Sequence, residues 1–344
     1  MGLRFQQKLI IPSSARPLVQ RKNLIAQLEQ AISTKSVTAL AAPAGWGKTT
    51  ALAQWAAISS LPVAWYTLDA TDRDPHLFLD YLLHSVAAFV PDAQSIVAQL
   101  ASTGPSNLPD LMQATALAIA AAPEPFALVF DDFHVIAEHA NNFGLTAQPQ
   151  QPEMPLLPGT ALILDLLAAL GEYAANCHLV FASRTLPTLH GLVRMVAQQR
   201  AAVFDYNALQ FQTAEVQQLA GSAYSLTLSD DSANMLISRL GGWVTGIVLS
   251  LDRARAEHHN GDPFNQFAFA SQRDALADPT AQIDADTAQV YAFFAEQILA
   301  PLSSELCRFL EDTSVLEDLS PQRCDALRQR DDSALLLEEV KRHG

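Results

Sequence analysis

The sequence predicts an α/β fold, a parallel sheet flanked by helices, followed by an all-helical region. Three observations predict it. Short apolar runs recur at residues 37–41, 63–68, 126–130 and 178–182, each long enough for a strand buried on both faces. Segments with apolar residues at helical spacing lie between them, at 77–89 and 108–122. After Phe211 the strand pattern stops and only helical patterns follow.

Taken in order, residues 1–22 read as an irregular segment with Pro12 and Pro17. Asn23 is placed to cap a helix in which Leu24, Leu28 and Ile32 recur every four residues. The run VTALAAPAGWGKTTALAQWAA reads as strand, Gly/Pro turn and amphipathic helix. Residues 141–159 change to Gln, Pro and Asn, the composition of a surface insertion. Three helices are expected at 213–221, 229–241 and 243–256. Thr213 and Ser229 serve as N-caps, and Gly221 and Gly241 as stops. In the third, Val244, Ile247, Val248 and Leu251 form one apolar stripe, and Trp243 is expected to anchor the helix in the core. Residues 257–285 read as a polar linker. Helices resume from Asp286, with Ser320–Pro321 as a cap and first-turn pair.

Composition narrows the function. The chain has 344 residues, enough for two or three domains, and 49% hydrophobic residues, enough for a real core. Its net charge of −15 disfavours non-specific binding to nucleic acid, so any polyanion site must be local. No apolar stretch is long enough to span a membrane, and the first residues lack the apolar region of a signal peptide. Cys177, Cys307 and Cys324 are far apart and read as buried thiols in a reducing compartment. The cytoplasm is the expected location.

The chemistry concentrates in residues 42–49, APAGWGKT. This matches the Walker A pattern with Ala42 in place of the first glycine. Gly45 and Gly47 let the backbone turn its N–H groups onto phosphate oxygens, with Pro43, Ala44, Trp46 and Thr50 completing the surround. Lys48 supplies a full charge to the phosphates, and the Thr49 hydroxyl can ligate Mg2+. The expected cofactor is ATP or ADP with Mg2+. Phe126–Asp131 and the next residue fit a Walker B strand, with Asp131 on the metal and Asp132 polarising the attacking water. His178 to Arg184 forms another strand ending in a polar pair. Strand C-termini line the crevice of a parallel sheet, so Arg184 is placed to sense the γ-phosphate. His134 has no second ligand at metal spacing and is expected to be structural. No nucleophilic-hydrolase or zinc-protease motif is present.

Taken together, RPLVQRKNLIAQL, APAGWGKTTALAQW, LVFDDFHVI, LVFASRTLP, LQFQTAEVQQLA, GGWVTGIVLSL and FLEDTSVLEDLSPQRCDAL resemble, in order, the N-terminal part of MalT-type regulators. These are large LuxR-type bacterial transcription activators with a signal-transduction ATPase core. The resemblance covers nearly the whole chain apart from 141–159 and 257–285. It implies an N-terminal segment (1–22), a P-loop nucleotide-binding domain (23–212), a helical domain with its linker (213–285) and the start of a winged-helix domain (286–344). It implies a slow ATPase that serves as a switch: ADP holds a closed monomer, and ATP with an inducer favours self-association. Arg21 matches an arginine near the nucleotide base, and residues 242–246 match a segment packed over the adenine. The family's winged-helix histidine, sensor repeats and DNA-binding helix-turn-helix are expected beyond Gly344, so DNA is contacted only through domains outside this chain. The alternative reading is a P-loop enzyme, a kinase or motor ATPase, unrelated to transcription. A third is an interaction scaffold with a vestigial P-loop, which the intact Lys48, Thr49 and Asp131 disfavour.

Overall fold

A computed structural model describes residues 7–13, 19–102, 107–137, 158–257, 302–316 and 319–343. The chain divides into two compact units. The first includes Gln20–Ala42 and Gly47–Leu209, and the second includes Pro43–Trp46 and Gln210–Gly344.

In the first unit the chain order is α1 (Lys22–Thr34), β1 (Val37–Ala41), α2 (Lys48–Ala56), β2 (Val63–Thr67), α3 (Pro75–Val86), α4 (Ala93–Ser102), α5 (Leu108–Ala120) and β3 (Phe126–Asp131). Then come α6 (His134–Ala137), α7 (Pro158–Tyr173), β4 (Cys177–Ser183), α8 (Leu192–Ala197), β5 (Ala201–Asp205) and α9 (Tyr206–Leu209). The five strands form one sheet in the order β2-β3-β4-β1-β5, and every neighbouring pair is parallel. Ala39 of β1 sits opposite Phe181 of β4 and Val203 of β5. The three inner strands carry almost unbroken apolar runs because helices cover both faces. Phe130 stacks with Phe181 at 5.5 Å and with Phe78 at 5.9 Å, tying two strands to α3. The local choices agree with this. Asp74 caps α3 by accepting from the N–H groups of His76 and Leu77, and Pro75 takes the first helical position, where no N–H is needed.

The second unit continues with α10 (Thr213–Leu219), a π-helical turn (Ala220–Tyr224), α11 (Asp230–Leu240) and α12 (Val244–Glu257). Val216, Leu219, Tyr224, Ala233, Ile247 and Leu251 form its core. Further on, α13 (Ser304–Thr313), α14 (Pro321–Arg328) and α15 (Ser333–His343) close a small cluster of Leu306, Phe309, Cys324, Leu336 and Leu337. Ser320 caps α14 and Pro321 opens it, as the sequence predicts.

Several expectations are corrected. Asn23 lies inside the first turn of α1, because the helix already begins at Lys22. Gln212, not Thr213, caps α10, in a reciprocal pair with Glu215. Gly221 does not stop that helix, which continues into the π turn, whereas Gly241 does end α11 in the left-handed conformation (φ 59°). Cys307 is only half-buried, unlike Cys177 and Cys324. Pro158 and Gly159, expected in the insertion, open α7. Residues 141–157 and 258–285 lie outside the described residues.

Candidate functional site

The strand order sets the site. Because β4 lies between β1 and β3, the C-terminal ends of these three strands are neighbours. They carry Ala42, Ser183 with Arg184, and Asp131 with Asp132. The pairing holds to the last residue: Ser183 sits opposite Ala41, and the Ser183 carbonyl accepts from the Ala42 N–H at 3.2 Å. On the other side, the Phe133 N–H donates to the Ala182 carbonyl at 2.9 Å, fixing the turn that follows β3.

Lys48 opens α2, is 8% exposed, and donates from Nζ to the Ala42 carbonyl at 2.5 Å. Burial lowers its pKa to about 8; Asp132 and Asp131 pull it up and Arg184 pushes it further down. Next in sequence, Thr49 Oγ1 donates to Asp131 Oδ1 at 2.9 Å. Asp131 is 2% exposed, and burial raises its carboxyl to about 6, helped by the neighbouring Asp132 and opposed by the Thr49 hydroxyl, the Asp132 N–H and Lys48. Asp132 adopts a left-handed backbone (φ 57°), rare for a residue with a side chain and frequent at functional sites. Burial raises its carboxyl too, against the pull of Lys48 and Arg184. Arg184 is half-buried and acts electrostatically on Lys48, Asp132 and His134 alike.

These residues are the right chemistry for a triphosphate with Mg2+. Thr49 and Asp131 offer hard oxygen donors side by side. Among the described residues no group of three His, Cys, Asp or Glu can hold a metal alone. Of the buried polar side-chain atoms without a hydrogen-bond partner among the described residues, two lie at these strand ends: Ser183 Oγ and His134 Nδ1. His134 Nδ1 lies 3.9 Å from Asp132 Oδ1, and burial, followed by Arg184 and Lys48, lowers its pKa to about 3, so the ring is neutral.

The sequence reading passed over Ser183 and gave His134 a structural role. Their position at or just beyond the ends of buried strands was the available clue. The other expected residues are placed as follows. Arg21 is buried at the N-cap of α1. Thr50 is exposed on α2. Pro43, Ala44, Gly45, Trp46 and Gly47 are half-buried, with Gly45 and Gly47 both left-handed (φ 78° and 77°).

Residues 43–46 pack in the second unit, where Trp243 and Thr245 meet them. Trp243 Nε1 donates to the Ala44 carbonyl at 3.0 Å. The Thr245 N–H and Oγ1 both donate to the Gly45 carbonyl, at 3.0 and 2.9 Å. Trp243 is therefore not a core anchor; it is half-buried with its polar edge on the loop.

Residues 295–344 match the MalT winged helix domain family. Over 347 residues the chain is 26% identical to the HTH-type transcriptional regulator MalT of Yersinia pestis (strain Pestoides F), covering 98% of this chain and 34% of that protein. It is 25% identical over 349 residues to the protein of the same name in Cronobacter sakazakii, with the same coverage. The chain spans about a third of the length of these curated relatives. Among solved structures it is similar to a Walker-type ATPase of Pyrococcus abyssi, with TM-score 0.54 and 13% identity over 96% of this chain and 93% of that one, a likeness of fold. The chain is similar to MalT along nearly all of its length, shares its fold with that solved structure, and matches the winged helix domain family near its C-terminus. Among the described residues no helix is long and apolar enough to cross a membrane.

Proposed function

We propose that this chain is the nucleotide switch of a bacterial MalT-like regulator, binding ATP and ADP with Mg2+ through residues 42–49 and hydrolysing ATP slowly. The observation that carries this reading is the joining of Thr49 to Asp131 beside the buried Lys48, at the C-terminal ends of parallel strands. In this reading residues 23–212 form the nucleotide-binding domain, 213–285 the helical domain and its linker, and 286–344 part of a winged helix.

Each residue has a role that its surroundings support. Lys48 is held in a desolvated position, where its charge acts on phosphate oxygens far more strongly than in water. Thr49 and Asp131 would hold the metal, which would neutralise phosphate charge when bound. Asp132 orients and polarises the attacking water, with neutral His134 beside its carboxylate. Arg184 and the Ser183 hydroxyl are assigned to sensing the γ-phosphate, at the C-terminal end of β4, the strand between β1 and β3. Arg21 is assigned to the base by its match to the family motif.

The output follows from the relatives, which are named as transcriptional regulators. DNA contact is assigned to domains outside these residues, self-association to the ATP state, and the setting to the cytoplasm. A switch works by differential affinity, so ATP and ADP must favour different conformations. The test is to identify the nucleotide that co-purifies and to measure turnover. Bound ADP or ATP with turnover far below once per second supports a switch. Rapid turnover favours a motor, and no bound or bindable nucleotide overturns the reading.

A further inference from the structure

We propose that Trp243 and Thr245 are positioning residues for nucleotide binding, setting the phosphate loop by holding the carbonyls of Ala44 and Gly45 from behind. The inference rests on the reading that residues 42–49 take a nucleotide.

The geometry of the peptide plane links the two faces of the loop. The chain has no cis peptide bonds among the described residues, so the C=O of one residue and the N–H of the next point in opposite directions. The Ala44 carbonyl faces the Trp243 indole, which turns the Gly45 N–H the other way. The Gly45 carbonyl faces the Thr245 N–H and hydroxyl, which turns the Trp46 N–H the same way. These are two of the donors that a phosphate nest needs aligned. Left alone, a loop containing two glycines can rotate such peptides at little cost. Three hydrogen bonds from one short segment remove that freedom, which is preorganisation of a binding site.

The pattern GGWVTG is explained by this contact. Trp243 precedes α12 and Thr245 is its second residue, so the Thr245 N–H is one of the first-turn donors without a partner inside the helix. The Gly45 carbonyl supplies that partner. A Cβ on Gly246 would lie 2.4 Å from the Trp243 ring, so only glycine lets the indole lie against the helix. A Cβ on Gly45 would lie 2.6 Å from Thr245 Oγ1 and 2.7 Å from Trp243 Nε1. Gly242 is left-handed (φ 72°), and its carbonyl accepts from the Phe211 N–H, which anchors the segment to the same unit.

Two measurements test the proposal. The first is ADP affinity, with Mg2+, of the wild type, Thr245→Ser, Thr245→Val and the double variant Trp243→Phe/Thr245→Val. Thr245→Ser keeps the hydroxyl and should bind as the wild type does. Thr245→Val should lose about fivefold and the double variant roughly thirtyfold. The second needs no variant at the clasp. By reciprocity, ADP must strengthen what strengthens its binding, so the Thr245 amide should exchange hydrogen more slowly with ADP, and in Lys48→Ala the change should need at least roughly tenfold more ADP. A soluble double variant with wild-type affinity, or Thr245 exchange indifferent to ADP in a protein that binds it, overturns the proposal alone. A wild-type protein that binds no ADP overturns the nucleotide reading and the proposal together.

Discussion

Thr49 Oγ1 donates to Asp131 Oδ1 across 2.9 Å, joining residues that stand 82 apart in the sequence. The bond spans β4, which separates β1 from β3 in the sheet. It pairs the hydroxyl and the carboxylate assigned to the metal, and it is the main force opposing the rise of the Asp131 pKa.

The two carboxylates should therefore fail differently. Asp131→Asn is expected to weaken Mg2+-dependent nucleotide binding by at least roughly tenfold, because a charged oxygen ligand is lost. Asp132→Asn should leave binding close to that of the wild type and slow single-turnover hydrolysis by about a hundredfold or more. Wild-type hydrolysis in Asp132→Asn would remove it from the water-activating role.

Lys48 makes a prediction about pH. Its folded pKa, about 8, lies below the ordinary 10.5, so the fold prefers the neutral amine. The resulting cost is full below about 8 and is relieved as pH rises toward 10.5. At pH 7 the penalty is on the order of 3 kcal/mol at most, from the size of the shift. Without nucleotide, Lys48→Met should raise the melting temperature at pH 7, and the gain should shrink between about pH 8 and 10.5. An unchanged or lower melting temperature at pH 7 would mean that the amine's bond to the Ala42 carbonyl outweighs its burial.

A buried network outside the site predicts a stability loss. Asp72 is fully buried and accepts from Lys8 Nζ at 2.7 Å, from the Tyr66 hydroxyl at 2.8 Å and from the Asp69 N–H at 2.7 Å. Asp72→Ala leaves the buried Tyr66 hydroxyl and the Asp69 N–H without their acceptor and removes one of the two carboxylates on Lys8, Asp69 being the other at 2.9 Å, and should cost about 3 kcal/mol in denaturant unfolding. A loss below about 1 kcal/mol would show that water or rearrangement replaces the carboxylate.

Charge predicts a negative result. With net charge −15, residues 1–344 by themselves should not shift promoter DNA in a gel assay. Sequence-selective, salt-dependent binding would place a DNA reader within them.

The parts of the fold that the sequence made legible share a physical cause. Strands β1, β3 and β4 are buried on both faces, so their sequences are continuous apolar runs. Strand β5 was missed because it is an edge strand with alternating burial, and AAVFD carries no such run. The pairing of Thr49 with Asp131 could be anticipated because each belongs to a pattern local to one loop or one strand end. The clasp could not. Trp243 bonds to a carbonyl 199 residues away, and an isolated Trp beside glycines says nothing of its partner. Ser183 was not singled out for the same reason: what distinguishes it is a buried polar atom, visible only once the strands are ordered.

The central claim is that residues 42–49 hold an adenine nucleotide through Lys48. Calorimetric titration of the wild type and Lys48→Ala with ADP and Mg2+ tests it most directly. The wild type should show one site per chain, and Lys48→Ala a loss of roughly tenfold to a hundredfold, the value of a charge-assisted contact. Equal affinity in the two proteins, or no binding to either, would contradict it.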